Sequence, residues 1–288
     1  NLQVDQLCRF FSHPAKFFLH NRLGLDLKEG TAVIEDKENF NLDALNRYRI
    51  SQNLLKIRSN EMNMGKYFEL QSATGELPHG SLGRILYHEL DRETEAFAKR
   101  LETVVPRLQP NRREVDLQIS DFRLCGELSD LYPVGRVQVR FARRKTRDIL
   151  TAWINHLFLN ADIHVDFPPI TTFVCKDSVT RFDTVENPVD ILKDLLIYFW
   201  EGLTIPLHFL PETSFEYFHL AHQRGKTKEQ AIYAAQKKWL GSEYNRGELK
   251  DPYYQLCFEK KDPIDDRFCE ISKNIFSPLF EHVEEIIE

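Results

Sequence analysis

The hydrophobic pattern of this chain changes period in its middle third, and that change limits its fold more than any other feature. Before Val104, apolar residues recur at helical spacing. Within LPHGSLGRILYHELDRETEAFAKRLETVV, Leu82, Ile85, Leu86, Leu90, Phe97 and Leu101 form one stripe, so a long helix is expected over about Ser81 to Val104, ended by Pro106 and Pro110. The period then drops to two. REVDLQIS alternates Val115, Leu117 and Ile119, and FRLCGELSDLY alternates Phe122, Leu124, Gly126 and Leu128. GRVQVRFA sets Val137, Val139 and Phe141 on one face and Arg136, Gln138 and Arg140 on the other. Connections this short join antiparallel neighbours. A helix follows over roughly Arg147 to Leu159, then a strand at TTFVCKD with TRFDTV as its pairing candidate.

The flanks read as helices. VDQLCRFFSHPAKFFLHNRLGL gives two short ones, with Phe10, Phe11, Phe17, Phe18 and Leu19 inward, Ser12 or His13 as a cap and Pro14 in the first turn of the second. Residues 26 to 39 read as a loop. LDALNRYRISQNLLKI carries an imperfect stripe, and a further helix is expected over 60 to 73. ENPVDILKDLLIYFWEG has Asn187 as N-cap and Pro188 behind it; Leu192, Leu195, Leu196, Phe199 and Leu203 are its inward stripe. Thr227 and Gln230 make a capping box for a helix reaching Trp239, and an acidic amphipathic helix closes the chain at HVEEIIE. The expected class is α+β: one unit over 1–288, with a core about 80–185 and a helical surround at 1–75 and 186–288.

Charge singles out GRVQVRFARRKTR, residues 135 to 147. The chain carries net charge −6, yet this stretch holds Arg136, Arg140, Arg143, Arg144, Lys145 and Arg147 and no carboxylate. Three readings are open. The cations are a solvated strand edge that resists aggregation. Alternatively they face DNA phosphates, through contacts that are sequence-neutral and salt-sensitive. The third reading is an acidic protein partner. A net acidic chain is a poor general binder of DNA, so any such contact is local. Aromatic residues that could stack on an unpaired base are Tyr132, Phe173, Trp200 and Trp239; the two tryptophans lie on apolar helix stripes and are expected in the core.

Other chemistry is sparse. Cys8, Cys125, Cys175, Cys257 and Cys269 are odd in number and widely spaced, with no CxxC pair, so free thiols in a reducing, cytoplasmic compartment are expected and structural zinc is not. Ser12–His13 and His219–His222 lack the partners of a triad or a metal site. GxSxG, Walker A and GxGxxG motifs are absent. The longest apolar stretch, LLIYFW at 195 to 200, is too short to span a bilayer. The start at Asn1, running straight into an amphipathic helix without a signal peptide, reads as a piece of a longer polypeptide.

Four segments carry a resemblance. LCRFFSHPAKFFLHNRLGL, LPHGSLGRILYHEL, LTAWINHLFLNA and FWEGLTIPLHFLP, in this order and over nearly the whole chain, resemble the C-terminal domain of the RecC family, the gamma chains of exodeoxyribonuclease V, the bacterial RecBCD helicase–nuclease. The resemblance implies a restriction-endonuclease-like, PD-(D/E)xK core built as helix, three strands, helix and strand, with its chemistry lost. It implies RecB-like and RecD-like partner subunits, the RecB-like one carrying the working nuclease. It also implies a place beside the point where duplex DNA is split during double-strand-break repair. An active site of that fold needs carboxylates for Mg²⁺ and a Lys to orient water. In active relatives the key strand ends in an Asp-Tyr-Lys segment shortly after a Gly. Counted from Gly135 it falls on Phe141, Ala142 and Arg143; one residue earlier it falls on Arg140, Phe141 and Ala142. Neither register holds a carboxylate. The strand Asp of the relatives maps to Ser129, with Asp130 one residue late, on the opposite face of a regular strand. The helix His maps to Tyr87, with His88 one residue late. The expectation is a domain without intrinsic activity, metal or cofactor. Its competitors are an active Mg²⁺ nuclease of the same fold and a protein scaffold that touches no DNA.

Overall fold

The computed structural model describes residues 1–27, 44–59, 64–78, 80–105, 109–162, 164, 166–243, 246–259 and 261–286. The expected loop at 26 to 39 and Pro106 therefore fall largely or wholly outside the described residues, as do positions 60–63 of the expected helix at 60 to 73.

The chain starts with a two-residue strand, β1 (Leu2–Gln3), followed by α1 (Val4–Ser12), α2 (Pro14–Phe17) and a π-helical turn (Phe18–Arg22). His13 caps α2, its Nδ1 accepting from the Lys16 N–H at 3.2 Å. Helices α3 (Ala44–Ser59), α4 (Met64–Ala73) and α5 (Ser81–Val104) follow. The middle third holds β2 (Asn111–Ile119), β3 (Phe122–Tyr132), β4 (Gly135–Arg140), α6 (Thr146–Ala161), β5 (Thr171–Cys175) and β6 (Val179–Phe182). Then come α7 (Pro188–Gly202), α8 (Pro211–Phe218), α9 (Lys228–Leu240), α10 (Pro252–Phe258), α11 (Asp266–Glu281) and β7 (Val283–Ile286).

The seven strands among the described residues form one mixed sheet. β2, β3 and β4 are an antiparallel meander, α6 crosses over, and β5 returns parallel to β4, with Arg136 opposite Thr171 and Arg140 opposite Cys175. β6 is antiparallel to β5 and β7 to β6. Because β2 occupies one edge of β3 along its length, β1 and β4 share the other, at Leu124–Cys125 and Leu131–Tyr132. Gly135, at φ +110, closes the tight β3–β4 turn in a conformation that L side chains avoid.

One sheet face is covered by α1, α6 and α7. Helix α6 lies at the centre, with Trp153, Leu157 and Phe158 wholly enclosed; each such side chain contributes roughly 2–3 kcal/mol of apolar burial. α1 comes so near β3 that a Cβ at Gly126 would collide with Val4. The opposite face is covered by α5 only in part, through Phe97 against Tyr132, Val137, Phe141, Val174 and Val179. A further cluster joins α2, α8, α9, α10 and α11 around Trp239, Tyr253, Tyr254 and Phe268.

Several expectations change. The closing helix stops at Glu281, and Val283–Ile286 instead adds a strand to the open edge of β6. On α5 the buried set is Gly83, Tyr87, Leu90, Thr94 and Phe97, while Ile85 is 63% exposed. The stripe is rotated because Tyr87 fills a cluster with Ile50, Leu54 and Phe68 on α3 and α4. Trp200 is 60% exposed, touching only the rim of the core through an edge contact with Phe122; Trp239 is buried as expected. All five cysteines are free. Among the described residues no helix is long and apolar enough to cross a membrane.

Candidate nucleic-acid interface

Strand β3 is irregular at Ser129 and Asp130, where the resemblance leads to the expectation of a lost carboxylate. Asn111 pairs with Leu131 but Arg113 pairs with Leu128, so β3 holds one extra residue across this step. The bulge falls at Ser129–Asp130, and Asp130 takes φ +61, a left-handed conformation uncommon for a residue with a side chain. Ser129 Oγ donates to Asp130 Oδ2 at 3.1 Å. The bulge also breaks the face alternation. Leu128 and Leu131, three residues apart, both join the core on the α6 side, and Tyr132 joins the core on the α5 side.

Arg136 lies beside this bulge and is only 6% exposed. Its Nε donates to the Ser129 carbonyl at 3.2 Å and its Nη1 to Gln138 Oε1 at 3.0 Å. Burial lowers its pKa, opposed by the nearby charge of Asp130. Cys8 shares this interior; desolvation, with Asp5, pushes its thiol up to about 12, so it stays protonated. The expected outward face of β4 is thus partly inward. Arg136 is enclosed by α1 and α6, whereas Val139 on the other face is 43% exposed, because α5 does not extend over it. A phosphate cannot reach Arg136 in this structure.

The far end of β4 is closed by rings and ion pairs. Phe141 meets Phe97 edge-on at 5.0 Å, and the Lys176 ammonium sits 5.3 Å from the Phe141 ring centroid. Lys176 pairs with Glu93 at 2.5 Å; Arg47 bridges Glu93 at 3.0 Å and Glu89 at 2.8 Å; Arg100 Nη1 donates to the Lys176 carbonyl at 3.0 Å. Of the four positions mapped to the nuclease site, Phe141 and Arg143 adjoin at this end of β4. Ser129 sits at the bulge, and Tyr87 faces α3 and α4, edge-on to Phe68 at 4.9 Å. His88 is exposed. Among the described residues no three His, Cys, Asp or Glu side chains converge as metal ligands.

The basic turn divides into held and unheld cations. Arg140 pairs with Asp148, which is buried at the start of α6; its Nε is enclosed without a partner. Desolvation raises the Asp148 pKa, with Arg140 and Arg147 pulling the other way. Arg144 donates its N–H to Asp177 Oδ1 at 2.9 Å and its Nη1 to Thr180 Oγ1 at 3.3 Å. The Lys145 N–H donates to Asp148 Oδ2 at 3.3 Å, and Glu212 receives both the Thr146 N–H at 3.1 Å and its hydroxyl at 2.8 Å. Arg143, Lys145 and Arg147 are exposed, and their side chains form no ion pair among the described residues.

Sequence reasoning missed Lys238. It sits in the last turn of α9, yet it lines a cleft of about 180 Å³ together with Arg144, Lys145, Phe215 and Phe280. No local pattern marks it, since the cleft exists only once α6, α8, α9 and α11 are packed. Of the four aromatic candidates, Tyr132, Phe173 and Trp239 are buried and Trp200 alone is open to solvent. Ser12 bonds the Cys8 carbonyl at 2.7 Å, His13 pairs with Asp251 at 3.1 Å, and His219 bonds Gln223 at 2.6 Å, so none of them forms a nucleophile–base pair.

Comparison with known proteins gives one consistent result. The family model described as the RecC C-terminal domain matches residues 1–222. The RecBCD enzyme subunit RecC of Escherichia coli K12 is 27% identical over 289 residues, covering 96% of this chain and 25% of the relative. The subunit of the same name from Haemophilus influenzae is 25% identical over 207 residues, covering 68% of this chain and 18% of the relative. That from Buchnera aphidicola of Acyrthosiphon pisum is 20% identical over 293 residues, covering 98% and 27%. The chain spans about a quarter of the length of the first of these relatives.

Proposed function

This chain belongs to the RecC C-terminal domain family, and from that premise we propose that it is the nuclease-like, non-catalytic domain of a RecC subunit, which docks RecB-like and RecD-like subunits and guides forked DNA in double-strand-break repair. The reading takes residues 1–288 as one unit working in the cytoplasm. It takes the order α5, three-strand meander, α6 and parallel β5 as a restriction-endonuclease-like core. That core would carry no chemistry of its own. Where active relatives place Asp-Tyr-Lys, this chain packs Phe141 against Phe97 and continues into arginine. A divalent cation needs oxygen ligands, which neither group provides.

The observation that carries the DNA part is the exposure of Arg143, Lys145 and Arg147 on one turn without carboxylate partners. Unneutralised cations held this close repel one another, and an incoming row of phosphates offsets that repulsion. A solvated edge that served only to resist aggregation would show no affinity for DNA. The test is a gel assay with end-labelled forked duplex, Mg²⁺ and the purified chain. The expected result is uncut DNA with a salt-sensitive shift. Shortened products would mean that metal chemistry survives, and uncut DNA without a shift would leave a protein scaffold as the better reading.

A further inference from the structure

A groove of about 1000 Å³ lies between the end of α9, a 3-10 turn (Glu248–Lys250) and α10. Apart from Leu27, its lining comes from residues beyond the 1–222 that the family model matches. We propose that this groove is a docking site for an amphipathic helix of another polypeptide, one that carries Lys or Arg beside its apolar stripe. The assignment does not depend on any contact with DNA.

The floor of the groove is aromatic. Trp239 and Phe258 are buried there and meet edge-on at 6.2 Å. Leu240 on α9 and Leu256 on α10 rise from that floor into solvent, 57% and 51% exposed. Apolar side chains left open around one hollow mark a contact surface, which singly scattered ones do not. The volume stands at the top of the range of small-ligand pockets, about 300–1,000 Å³, so the groove takes several side chains of one polypeptide. The walls decide the conformation of that polypeptide. No strand contributes to the lining among the described residues, and Pro252 and Pro263 within it have no N–H. An extended peptide would leave its own N–H and C=O groups unpaired against such walls, whereas a helix pairs them internally. Charge decides its flanks. Glu259 and Asp262 line the groove, and no Lys, Arg or His does so among the described residues. Neither acid forms an ion pair among the described residues, and Asp262 commits one oxygen to the Ile264 N–H at 2.9 Å. Three neighbouring cations are turned elsewhere: Lys237 lies over the Tyr233 ring at 4.5 Å, Lys238 lines the cleft beside Arg144, and Lys261 is 4.0 Å from Asp265. Acids without partners beside an apolar contact attract a helix with a cationic flank and repel an acidic one.

The test is fluorescence anisotropy with the purified full chain. The probe is a fluorescein-labelled peptide of about 14 residues, roughly four helical turns, with leucine along one face and lysine elsewhere. One control peptide has the same composition in scrambled order, and a second has glutamate in place of lysine. The ordered leucine–lysine peptide is expected to bind at least about tenfold more tightly than either control. Leu256→Asp, an exposed change that leaves the core intact, is expected to weaken its binding at least about tenfold, the loss of one apolar contact. Ile197→Asp, equally exposed on α7 and outside the groove, is expected to leave binding unchanged. Glu259→Lys is expected to weaken it about threefold at low salt and less at high salt. The assignment is overturned if the ordered peptide does not bind, if the scrambled peptide binds as well, if Leu256→Asp has no effect, or if Ile197→Asp has the same effect. Sedimentation of the chain without peptide tests the other occupant. A dimer that Leu256→Asp dissolves would give the groove to a second copy and overturn the assignment, and a monomer with the groove free supports it.

Discussion

The division of the basic turn into held and unheld cations has a quantitative consequence for salt dependence. Each duplex phosphate neutralised by a Lys or Arg contributes about −0.9 to the slope of log K against log salt. Counting the six basic residues of Gly135 to Arg147 as contacts gives a share of about −5.4, or about 1800-fold weakening between about 50 and 200 mM salt. The structure removes Arg136, which is enclosed, Arg140, which is paired with Asp148, and Arg144, whose guanidinium Nη1 is held on Thr180 Oγ1. Three contacts remain, worth a slope of about −2.7 and about 40-fold over the same range. The perturbation is Arg143→Gln/Lys145→Gln/Arg147→Gln, with Arg136→Met as the internal control. Forked duplex is titrated with the protein at a series of salt concentrations, and the slopes are compared. The triple variant should be shallower by about 2.7 and Arg136→Met should match the parent. A change below about one in the triple variant, or a loss of about 0.9 in Arg136→Met, would refute the division.

Two predictions concern the scaffold. Phe141→Ala removes the ring between Phe97 and Lys176 and should cost about 3–5 kcal/mol in urea unfolding; a cost under about 1 kcal/mol would mean that this end of β4 is not packed as described. His156 is wholly buried, bonded to Thr171 Oγ1 at 3.0 Å and the Asp183 carbonyl at 2.9 Å, and burial lowers its pKa from 6.5 to about 4. The unfolded chain therefore takes up a proton that the folded chain refuses, so stability should fall by up to about 3 kcal/mol as pH drops from 6.5 to about 4, and His156→Phe should flatten that part of the profile. An equally steep profile in the variant would exclude His156 as its source.

The strand order of the middle third was readable because period two and helical period are local properties of a few side chains. Which face is covered, and how far, is not local. Alternation in β4 separates Arg136 from Val139 without saying that α1 and α6 extend over the first while α5 stops short of the second. The same limit hid the outward turn of Trp200. In LLIYFW every side chain is apolar, so the pattern leaves helix rotation open, and packing puts Tyr198 and Phe199 inward and Ile197 and Trp200 outward. HVEEIIE spaces its apolar residues compatibly with a helix. The open edge of β6 makes a strand there, because its unpaired backbone groups gain partners from Val283–Ile286. The bulge left no sequence signal, since Asp130 rather than Gly takes the left-handed position.

That bulge connects the buried part of the basic stretch to the exposed part. A left-handed residue with a side chain costs roughly 1–2 kcal/mol, so something must hold it. The inserted residue returns Leu131 to the same core as Leu128 and leaves the Ser129 carbonyl on Arg136 Nε. A buried guanidinium needs such acceptors, because an unpaired charge there costs several kcal/mol. Arg136 thus fixes the start of β4 against β3. At the other end, Arg140 reaches Asp148, whose second oxygen accepts the Lys145 N–H, and Asp177 accepts the Arg144 N–H. Arg140 and these two aspartates therefore set the backbone of the turn from which Arg143, Lys145 and Arg147 project. The outward cations do not need their own partners to be placed, and their charge stays available because the inward ones do the holding.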